Sequence, residues 1–305
     1  MSAGLRSTSG RWDPADSDRR SWPSPPIGLA RVGASAVGPG SAAGGFAVVP
    51  SCPDAPALAP PSGPSGPASA SAVDGEKRLR AGPLLSVVVV ARDEAAALPA
   101  LLADLARGPA PVRELLVVDG GSRDGTARLA RLGGARVISS PAGRGLQLAR
   151  GVAASEAPWL LLLHADVRLP NDWGAVVAAA MAAGQGRAWA FGLAIDGPGL
   201  GLRLVELLVA LRSRWRSLPY GDQGLLISRS ALAGAGGIAP IPLMEDLELV
   251  LRLRRRQAIG VLPASLRVSG RRWRRLGVVG TALANARLRR DWRRGVDAAT
   301  LAARY

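Results

Sequence analysis

Strand-like and helix-like segments alternate at short, regular spacing along residues 84–183. The strand-like runs are rich in valine, isoleucine and leucine and cover 84–91, 114–121, 135–140 and 159–166. The segments between and after them have helical character and cover 98–107, 124–132, 145–155 and 171–183. Continuous apolar runs of this length are typical of strands that are buried on both faces. The alternation therefore predicts an α/β fold in which helices flank a mostly parallel sheet.

The rest of the chain divides by composition. Residues 1–80 are rich in proline, glycine, serine and alanine and have no periodic apolar pattern, which predicts a disordered tail. Residues 81–275 are predicted to form the folded α/β domain. Residues 276–305 combine arginines with apolar residues and are predicted to form a basic, amphipathic, helical C-terminal extension.

No apolar run reaches the roughly 18 residues that a membrane-spanning helix needs. The nearest is 201–215, which Arg203 and Glu206 interrupt. It predicts an amphipathic helix, and a position at a membrane interface is one interpretation of it.

Arginine carries most of the formal net charge of +16, because Lys77 is the single lysine among 39 basic residues. Four arginine clusters lie in the last third of the chain, at 212–216, 252–256, 271–275 and 287–294. Three interpretations are open: solvated helix faces, a site for anionic lipid or a phosphorylated substrate, and nucleic-acid binding.

Acidic residues and the only histidine stand where the predicted strands end. Asp93 and Glu94 follow the first strand, Asp119 ends the second, and His164 and Asp166 end the fourth. In open α/β sheets, ligands bind outside the carboxyl ends of the strands. We therefore expect these side chains to meet at one edge of the sheet although they are far apart in sequence.

His164 and Asp166 allow two interpretations. They could be polar residues of a strand-end turn that face water, or they could bind a hard divalent cation such as Mg²⁺ or Mn²⁺. A histidine nitrogen suits Mn²⁺ better than Mg²⁺. The single cysteine, Cys52, excludes an intrachain disulfide, a CxxC zinc site and an iron–sulfur cluster.

Two further acidic segments have both a structural and a functional interpretation. Asp119 begins the turn in VVDGGSRDGT (117–126), and its carboxylate could either shape that turn or accept hydrogen bonds from a ribose or a base. Glu245 and Asp246 open the amphipathic segment 241–256. Acids at a helix start interact favourably with the helix dipole, and one of them could equally act as a general base.

Taken together, these segments resemble the family 2 glycosyltransferases of GT-A fold. The resemblance covers nearly all of residues 84–275, and the closest likeness is to a small bacterial subgroup labelled arsenosugar-type or selenodomain-associated. The segments that carry it, in order, are SVVVVARDEAAALPALL, ELLVVDGGSRDGT, GRGLQLARGVAAS, WLLLLHADVRLP, GDQGLLISRSALAGAGGI and MEDLELVLRL.

The resemblance implies a metal site and a catalytic base. The family's metal motif is Asp-any-Asp, in which His164 takes the first position here and Asp166 the second. Asp166, with His164, would hold Mg²⁺ or Mn²⁺ against the diphosphate of a nucleotide-sugar. Asp246 matches the family's general base in an inverting reaction.

The resemblance also implies contacts to the donor. Asp119 matches the carboxylate that contacts the nucleoside, Glu94 matches the glutamate of an Asn-Glu pair, and Arg144 falls where relatives have a basic residue near the nucleotide. We expect Asp222 and Gln223 to recognise hydroxyls of the donor sugar or of the acceptor.

The function that follows is the transfer of a sugar from a UDP- or GDP-linked donor to a small-molecule or a lipid or carotenoid-type acceptor. We expect a cytoplasmic enzyme, with contact to the anionic inner face of the cell membrane as an option and without a nucleic-acid partner. The alternatives are a basic nucleic-acid-binding protein and a haloacid-dehalogenase-type phosphatase. The phosphatase is disfavoured because Ser122 stands where its nucleophilic aspartate would be, two residues before Asp124.

Overall fold

The computed structural model describes residues 84–108, 111–184 and 186–305. The predicted disordered tail, and Cys52 within it, lie outside the described residues. None of the described helices is long and apolar enough to cross a membrane.

One mixed sheet of eight strands organises the described residues. The order across the sheet is β3-β2-β1-β4-β7-β6-β8-β5. Pairs β3–β2, β2–β1, β1–β4 and β6–β8 are parallel, whereas β7 runs antiparallel to both of its neighbours and β5 runs antiparallel to β8. The prediction of a mostly parallel sheet is confirmed. The strands are β1 (Leu85–Ala91), β2 (Val112–Asp119), β3 (Arg136–Ser139), β4 (Trp159–His164), β5 (Val167–Arg168), β6 (Ala188–Ile195), β7 (Leu225–Ser228) and β8 (Ile259–Val268).

Helices cover both faces of this sheet. They are α1 (Leu98–Arg107), α2 (Thr126–Leu132), α3 (Arg144–Ala154), α4 (Trp173–Ala182), α5 (Leu200–Arg216), α6 (Arg229–Gly234), α7 (Glu245–Arg256), α8 (Arg271–Arg293) and α9 (Ala298–Ala303), with a 3₁₀ turn at Gly221–Gln223.

Strand β1 shows why the central strands are apolar throughout. Because side chains alternate between the two faces of a sheet, Val87 and Val89 pack towards α1, α4 and α5. Val88 and Val90 pack on the opposite face, towards α3, α6 and α7. With both faces covered, a strand in the middle of the sheet has no position for a solvent-facing polar residue.

The first two loops at the carboxyl edge of the sheet are joined to each other. The backbone N–H of Asp93 donates to Ser122 Oγ at 2.9 Å, and Asp93 Oδ1 accepts from the N–H of Arg123 at 2.8 Å. The N–H of Glu94 donates to Thr126 Oγ1 at 2.9 Å. These bonds hold the β1–α1 and β2–α2 loops as one rim beside the carboxyl ends of the strands.

The C-terminal segment is helical and packs on the entry to α7. Helix α8 is interrupted at Gly277, whose φ of 70° lies outside the helical region. The predicted boundary between residues 275 and 276 falls inside α8, close to this break. Trp292 and Leu301 form a buried cluster with Leu243 and Leu247. The C-terminal helices therefore cover the start of α7, where Asp246 lies.

Candidate active site

The candidate site lies at the carboxyl ends of β1, β2 and β4, where parallel pairing brings the polar strand ends together. Asp119 pairs with Ala91, and His164 pairs with Val90, so the two polar residues flank β1 on either side. Two neighbouring strand spacings separate them, about 10 Å. The sheet thus places side chains from distant parts of the sequence at one edge, as the sequence predicts.

Gly221 lies between the end of β4 and the start of α7 in the folded chain. Its backbone N–H donates to Asp246 Oδ2 at 2.7 Å. A Cβ atom on Gly221 would lie 3.2 Å from both Asp246 Oδ2 and His164 Nε2, a distance at which a side chain would crowd both groups. His164 and Asp246, 82 positions apart in the sequence numbering, therefore face the same small volume.

Backbone donors orient the Asp246 carboxylate. Besides the bond from Gly221, Asp246 Oδ1 accepts from the N–H of Leu247 at 2.7 Å. Met244, which precedes the helix, has a φ of 66°, a conformation that L-residues adopt uncommonly. This turn places two acids in succession at the helix start, one facing Gly221 and the other, Glu245, facing the interior.

His164 is held in its neutral form. Burial and the positive charge of Arg144 lower its pKa to about 4, although Asp166 and Asp246 act in the opposite direction. A neutral imidazole has one ring nitrogen with a free lone pair, which is the form that binds a metal ion. Together with the Asp166 carboxylate, this donor set fits a divalent cation that takes its other ligands from water and a diphosphate. Among the described residues, no group of three His, Cys, Asp or Glu side chains could hold a metal ion.

Glu245 is the most unusual group of the site. It is 1 % exposed, and neither carboxylate oxygen has a hydrogen-bond partner. Burial and the charge of Asp246 raise the pKa of Glu245 to about 8, against the opposing effect of Arg144. Glu245 is therefore protonated at neutral pH.

Glu245 borders a small cavity below the candidate site. The cavity has a volume of about 40 Å³ and a mostly apolar wall, with His164, Tyr220, Glu245 and Asp246 as its titratable groups. A volume of this size holds one or two water molecules. Its apolar wall is formed by Leu148, Leu162, Pro219, Leu225, Ile238, Leu249 and Val250.

Arg144, at the start of α3, lies between the acids and the C-terminal residue. Its guanidinium donates to the Tyr305 hydroxyl at 3.2 Å and lies 5.0 Å from the ring centroid. Burial disfavours its charge, but Tyr305, Glu245 and Asp246 outweigh burial and raise the pKa of Arg144. Arg144 therefore provides a permanent positive charge beside the candidate base.

Glu94 and Asp119 lie in the joined loops at the other side of the site. Glu94 forms an ion pair with Arg271 at 3.2 Å. Burial and the nearby charge of Asp166 raise the pKa of Glu94, partly offset by Arg271. Asp119 accepts from the backbone N–H of Ser122 at 3.2 and 3.3 Å and also from the Ser122 hydroxyl. Part of the Asp119 carboxylate thus shapes its own turn, and the ion pair of Glu94 with Arg271 connects the loops to α8.

The structure assigns Gln223 a different role from the predicted one. Its side chain is fully buried, its amide nitrogen donates to the Phe191 carbonyl at 2.9 Å, and its amide oxygen accepts from Ser213 Oγ at 3.1 Å and the Tyr220 N–H at 3.2 Å. The amide is committed to the protein interior, so the prediction that Gln223 contacts a substrate is not supported. Its neighbour Asp222 is exposed at the rim.

Two arginines near the site were not singled out from the sequence. The guanidinium carbon of Arg212 lies 3.7 Å from the centroid of the Tyr220 ring, and that of Arg289 lies 5.5 Å from it. The arginine clusters at 212–216 and 287–294 were the available signal, but a cluster alone does not show which member turns inward. These contacts place two positive charges around a tyrosine in the wall of the cavity.

Comparisons with known proteins show which family and fold this chain is similar to. Residues 86–221 match the family model described as glycosyl transferase family 2. A PGL/p-HBAD biosynthesis glycosyltransferase of Mycobacterium bovis (strain BCG / Pasteur 1173P2) is 38% identical over 93 residues, which cover 28% of this chain and 36% of that protein. The protein of the same name from Mycobacterium tuberculosis (strain ATCC 25177 / H37Ra) matches with the same values. The match thus spans about a third of the length of these curated relatives.

A solved structure supports the fold. The chain is similar to glucosyl-3-phosphoglycerate synthase from Mycobacterium tuberculosis, crystallised with Mn²⁺, UDP and phosphoglyceric acid, with a TM-score of 0.50 and 23% identity. The similarity covers 73% of this chain and 83% of that structure. The mixed sheet with helices on both faces is the fold expected from the sequence.

Proposed function

We propose that this chain, whose residues 86–221 match the family model of the family 2 glycosyl transferases, moves a sugar from a nucleotide-diphosphate donor to an acceptor hydroxyl. One observation carries the proposal: His164 Nε2 and Asp246 Oδ2 each lie 3.2 Å from the same point above Gly221. A candidate metal ligand and a candidate base on either side of one glycine suit a reaction in which a leaving group departs on one side and a hydroxyl loses its proton on the other.

Asp246 is proposed as the general base of an inverting transfer. An acceptor hydroxyl within hydrogen-bond reach of a carboxylate can lose its proton as it attacks the sugar carbon. The two backbone N–H groups that bond to Asp246 hold the carboxylate in a fixed orientation. An inverting displacement needs no nucleophile from the protein, so the single histidine and the lone cysteine are not obstacles.

Asp166 and His164 are proposed to hold the divalent cation, Mg²⁺ or Mn²⁺. When bound, such a cation stabilises the negative charge of a diphosphate leaving group. Arg144 would add a second positive charge at the same leaving group. Two side chains support this cation site: the neutral imidazole of His164 and the carboxylate of Asp166, two residues later.

The residues that would contact the donor and the acceptor are proposed from where their side chains lie around the candidate site. Asp119 would contact the nucleoside, Glu94 would support that side of the site, and Asp222 at the rim would meet sugar hydroxyls. The donor is proposed to be a UDP- or GDP-sugar. The finer likeness to the arsenosugar-type or selenodomain-associated subgroup stays a proposal that rests on the segments around His164, Asp222 and Asp246.

The family match favours transfer over the two alternative functions. The phosphatase would need a nucleophilic acid at position 122, where the hydroxyl of Ser122 instead bonds to Asp119. A basic nucleic-acid-binding protein would not need acids gathered at a sheet edge.

A nucleotide release assay tests the proposal. The full chain is incubated with UDP- and GDP-sugars and with Mn²⁺ or Mg²⁺, and released UDP or GDP is measured by chromatography. We expect slow hydrolysis of one donor without an acceptor, dependence on the cation, and loss of release in Asp166→Asn. The proposal is wrong if no donor is turned over and none raises the melting temperature.

A further inference from the structure

Helix α5 exposes a long apolar stripe although its opposite side is already buried. Leu202, Val209 and Ser213 face the sheet. The stripe on the solvent side consists of Leu200, Leu204, Leu207, Leu208 and Trp215, which are 55 to 88% exposed. Single exposed leucines are ordinary, but a row of this length along one helix indicates an interaction surface.

Helix α8 extends this apolar surface. Leu276, Val279 and Leu283 are exposed on α8. The two helices meet at Gly201, where an added Cβ would lie 3.2 Å from Val278 Cγ2. We refer to the exposed apolar residues of both helices as the α5–α8 face, made of Leu200, Leu204, Leu207, Leu208, Trp215, Leu276, Val279 and Leu283.

Arginines without acidic partners accompany the α5–α8 face. They are Arg214, Arg216, Arg274, Arg275 and Arg287, all exposed, and none forms an ion pair within the part of the chain that the structure describes. The acids of the two helices are few. Glu206 is the only acid of α5 and accepts from the Ile195 N–H, and Asp291 is the only acid of α8. The face therefore combines apolar side chains with uncompensated positive charge.

We propose that the α5–α8 face docks on an anionic lipid bilayer, with its leucines at the boundary of headgroups and acyl chains and its arginines on lipid phosphates. Amphipathic helices that bind in this way combine an apolar stripe with basic flanks. A bilayer also explains the charge better than a second copy of the chain does, because a dimer through this face would bring two sets of unpaired arginines together.

Both helices of the α5–α8 face also contact Tyr220, which lines the cavity at the candidate site. Helix α5 ends at Arg216, and Arg212 in its last turns donates to the Leu218 carbonyl at 2.8 Å and stacks on Tyr220. Arg289 of α8 approaches the same tyrosine. Docking would bring the side of the site near Asp246 to the membrane. If the chain transfers sugars as proposed above, this position selects acceptors whose hydroxyl is attached to a membrane-embedded apolar group.

Vesicle flotation of the full chain tests the docking. The probes are phosphatidylcholine vesicles and vesicles with about 30% phosphatidylglycerol, each at low and high salt. We expect binding to the anionic vesicles, much less to the neutral ones, and weaker binding at high salt because exposed charges are screened.

Variants of the face and matched controls locate the contact. The double variant Leu204→Ser/Leu207→Ser is expected to weaken binding about tenfold or more, since each leucine would lose its burial in lipid. Arg214→Gln/Arg274→Gln is expected to weaken binding to anionic vesicles about tenfold. The controls are Leu132→Ser, whose leucine is 74% exposed, and Arg128→Gln, both on α2 at the other end of the sheet. Circular dichroism confirms that each variant is folded.

Three outcomes overturn the proposal. The first is that the wild-type chain does not float with anionic vesicles at low salt. The second is that it floats equally well after the leucine substitutions. The third is that the chain is a dimer by light scattering, that the leucine substitutions make it monomeric, and that neither form floats, so that a second copy occupies the face. Asp246→Asn is expected to float like the wild type, so a failure of docking is distinguishable from a failure of the proposed transfer.

Discussion

Two buried carboxyl groups at different places in the molecule have opposite environments. Asp104 on α1 and Glu245 on α7 are each 1 % exposed. Asp104 accepts from Arg168 Nε at 2.6 Å, Arg168 Nη2 at 2.8 Å and the Leu169 N–H at 3.0 Å, and also from Arg107. Neither oxygen of Glu245 has a partner. The same degree of burial is thus compensated fully at one carboxyl and not at all at the other.

The protonation states follow from this difference. Burial alone would raise the pKa of Asp104, but the hydrogen bonds from Arg168 and Leu169 outweigh it and hold the pKa below the usual range. At Glu245 burial dominates and raises the pKa to about 8. At neutral pH the first group is a carboxylate that ties α1 to Arg168 of β5 and to the N–H of Leu169. The second is a neutral acid beside the candidate base.

Backbone strain separates the two regions in the same way. The non-glycine residues with positive φ among those described are Asp93, Ser217 and Met244. Asp93 lies in the joined loops, Ser217 leads into the turn before Gly221, and Met244 precedes Glu245. All of them border the candidate site and none borders Asp104. Uncommon conformations and uncompensated groups tend to gather at functional sites, so the contrast favours the proposed catalytic role of the region around Glu245 and a structural role for Asp104.

The sharpest test of this division is the removal of the candidate base. Asp246→Asn keeps the shape of the side chain but loses the proton acceptor, so kcat is expected to fall by about 10²–10⁴. The melting temperature is expected to stay within a few degrees of the wild type. Steady-state kinetics with the identified donor and differential scanning calorimetry provide the measurements. A large loss of stability with unchanged kcat would place Asp246 among the structural acids.

The converse change removes the structural acid. Asp104→Ala leaves the Leu169 N–H and one edge of the Arg168 guanidinium without their partner, and we expect the free energy of unfolding to fall by about 3 kcal/mol. Loss of a buried partner can cost more, but Arg168 is half exposed and can be rehydrated. Urea denaturation measures the change. The kcat of the folded fraction is expected to equal that of the wild type, and a lower kcat would contradict the separation of the two regions.

The sequence predicts the parallel half of the fold better than the remainder. Strands β1, β2 and β4 each contain a continuous apolar run of at least four residues, so their pattern is clear. Half of the eight residues of β6 are alanine or glycine, and β8 contains Pro263, which argues against a strand. The sheet accommodates this proline at an irregularity in pairing, where Ala190 pairs with Val261 and Gly192 with Ser265. These two strands were not predicted, because pairing in the tertiary structure overrides their local pattern.

The site was predictable where residue type and strand position determine it. His164, Asp119 and Asp246 follow from polar residues at strand ends and at a helix start. The interior orientation of Gln223 was not predictable, because it depends on contacts with β6 and α5. The burial of Glu245 was also hidden, since adjacent acids at a helix start are usually solvated, whereas this one borders an interior cavity whose wall includes Leu148 and Leu162 from distant parts of the chain.

A pH series sharpens the contrast between the two carboxyl groups. Because the pKa of Glu245 is raised from 4.5 to about 8 on folding, the folded state retains a proton that the unfolded state has released. Stability therefore falls as pH rises from about 4.5 to 8 and levels off above that. Between pH 6 and pH 7.5 the loss amounts to about 2 kcal/mol, and Glu245→Gln is expected to remove it. Urea denaturation at both pH values measures the difference between wild type and variant.

The prediction is contradicted if the free energy of unfolding changes by the same amount between pH 6 and pH 7.5 in the wild type and in Glu245→Gln. Asp104→Asn serves as the matched control, because the pKa of Asp104 is lowered and its contribution to stability is already complete at pH 6. The difference in free energy of unfolding between Asp104→Asn and the wild type is expected to be the same at the two pH values.

The smallest expected effects come from exchanging arginine for lysine in each region. Arg168→Lys replaces a two-bond contact to Asp104 with a single bond and is expected to lower the free energy of unfolding by about 1 kcal/mol, with the KM for the donor unchanged. Arg144→Lys keeps the charge but loses the planar donor group that a diphosphate would meet, and is expected to raise the KM for the donor several-fold with stability nearly unchanged. Urea denaturation and initial-rate kinetics of both variants provide the measurements. A change in donor KM for Arg168→Lys would show that the two regions are coupled, because Arg168 lies on β5, at the edge of the sheet away from Arg144.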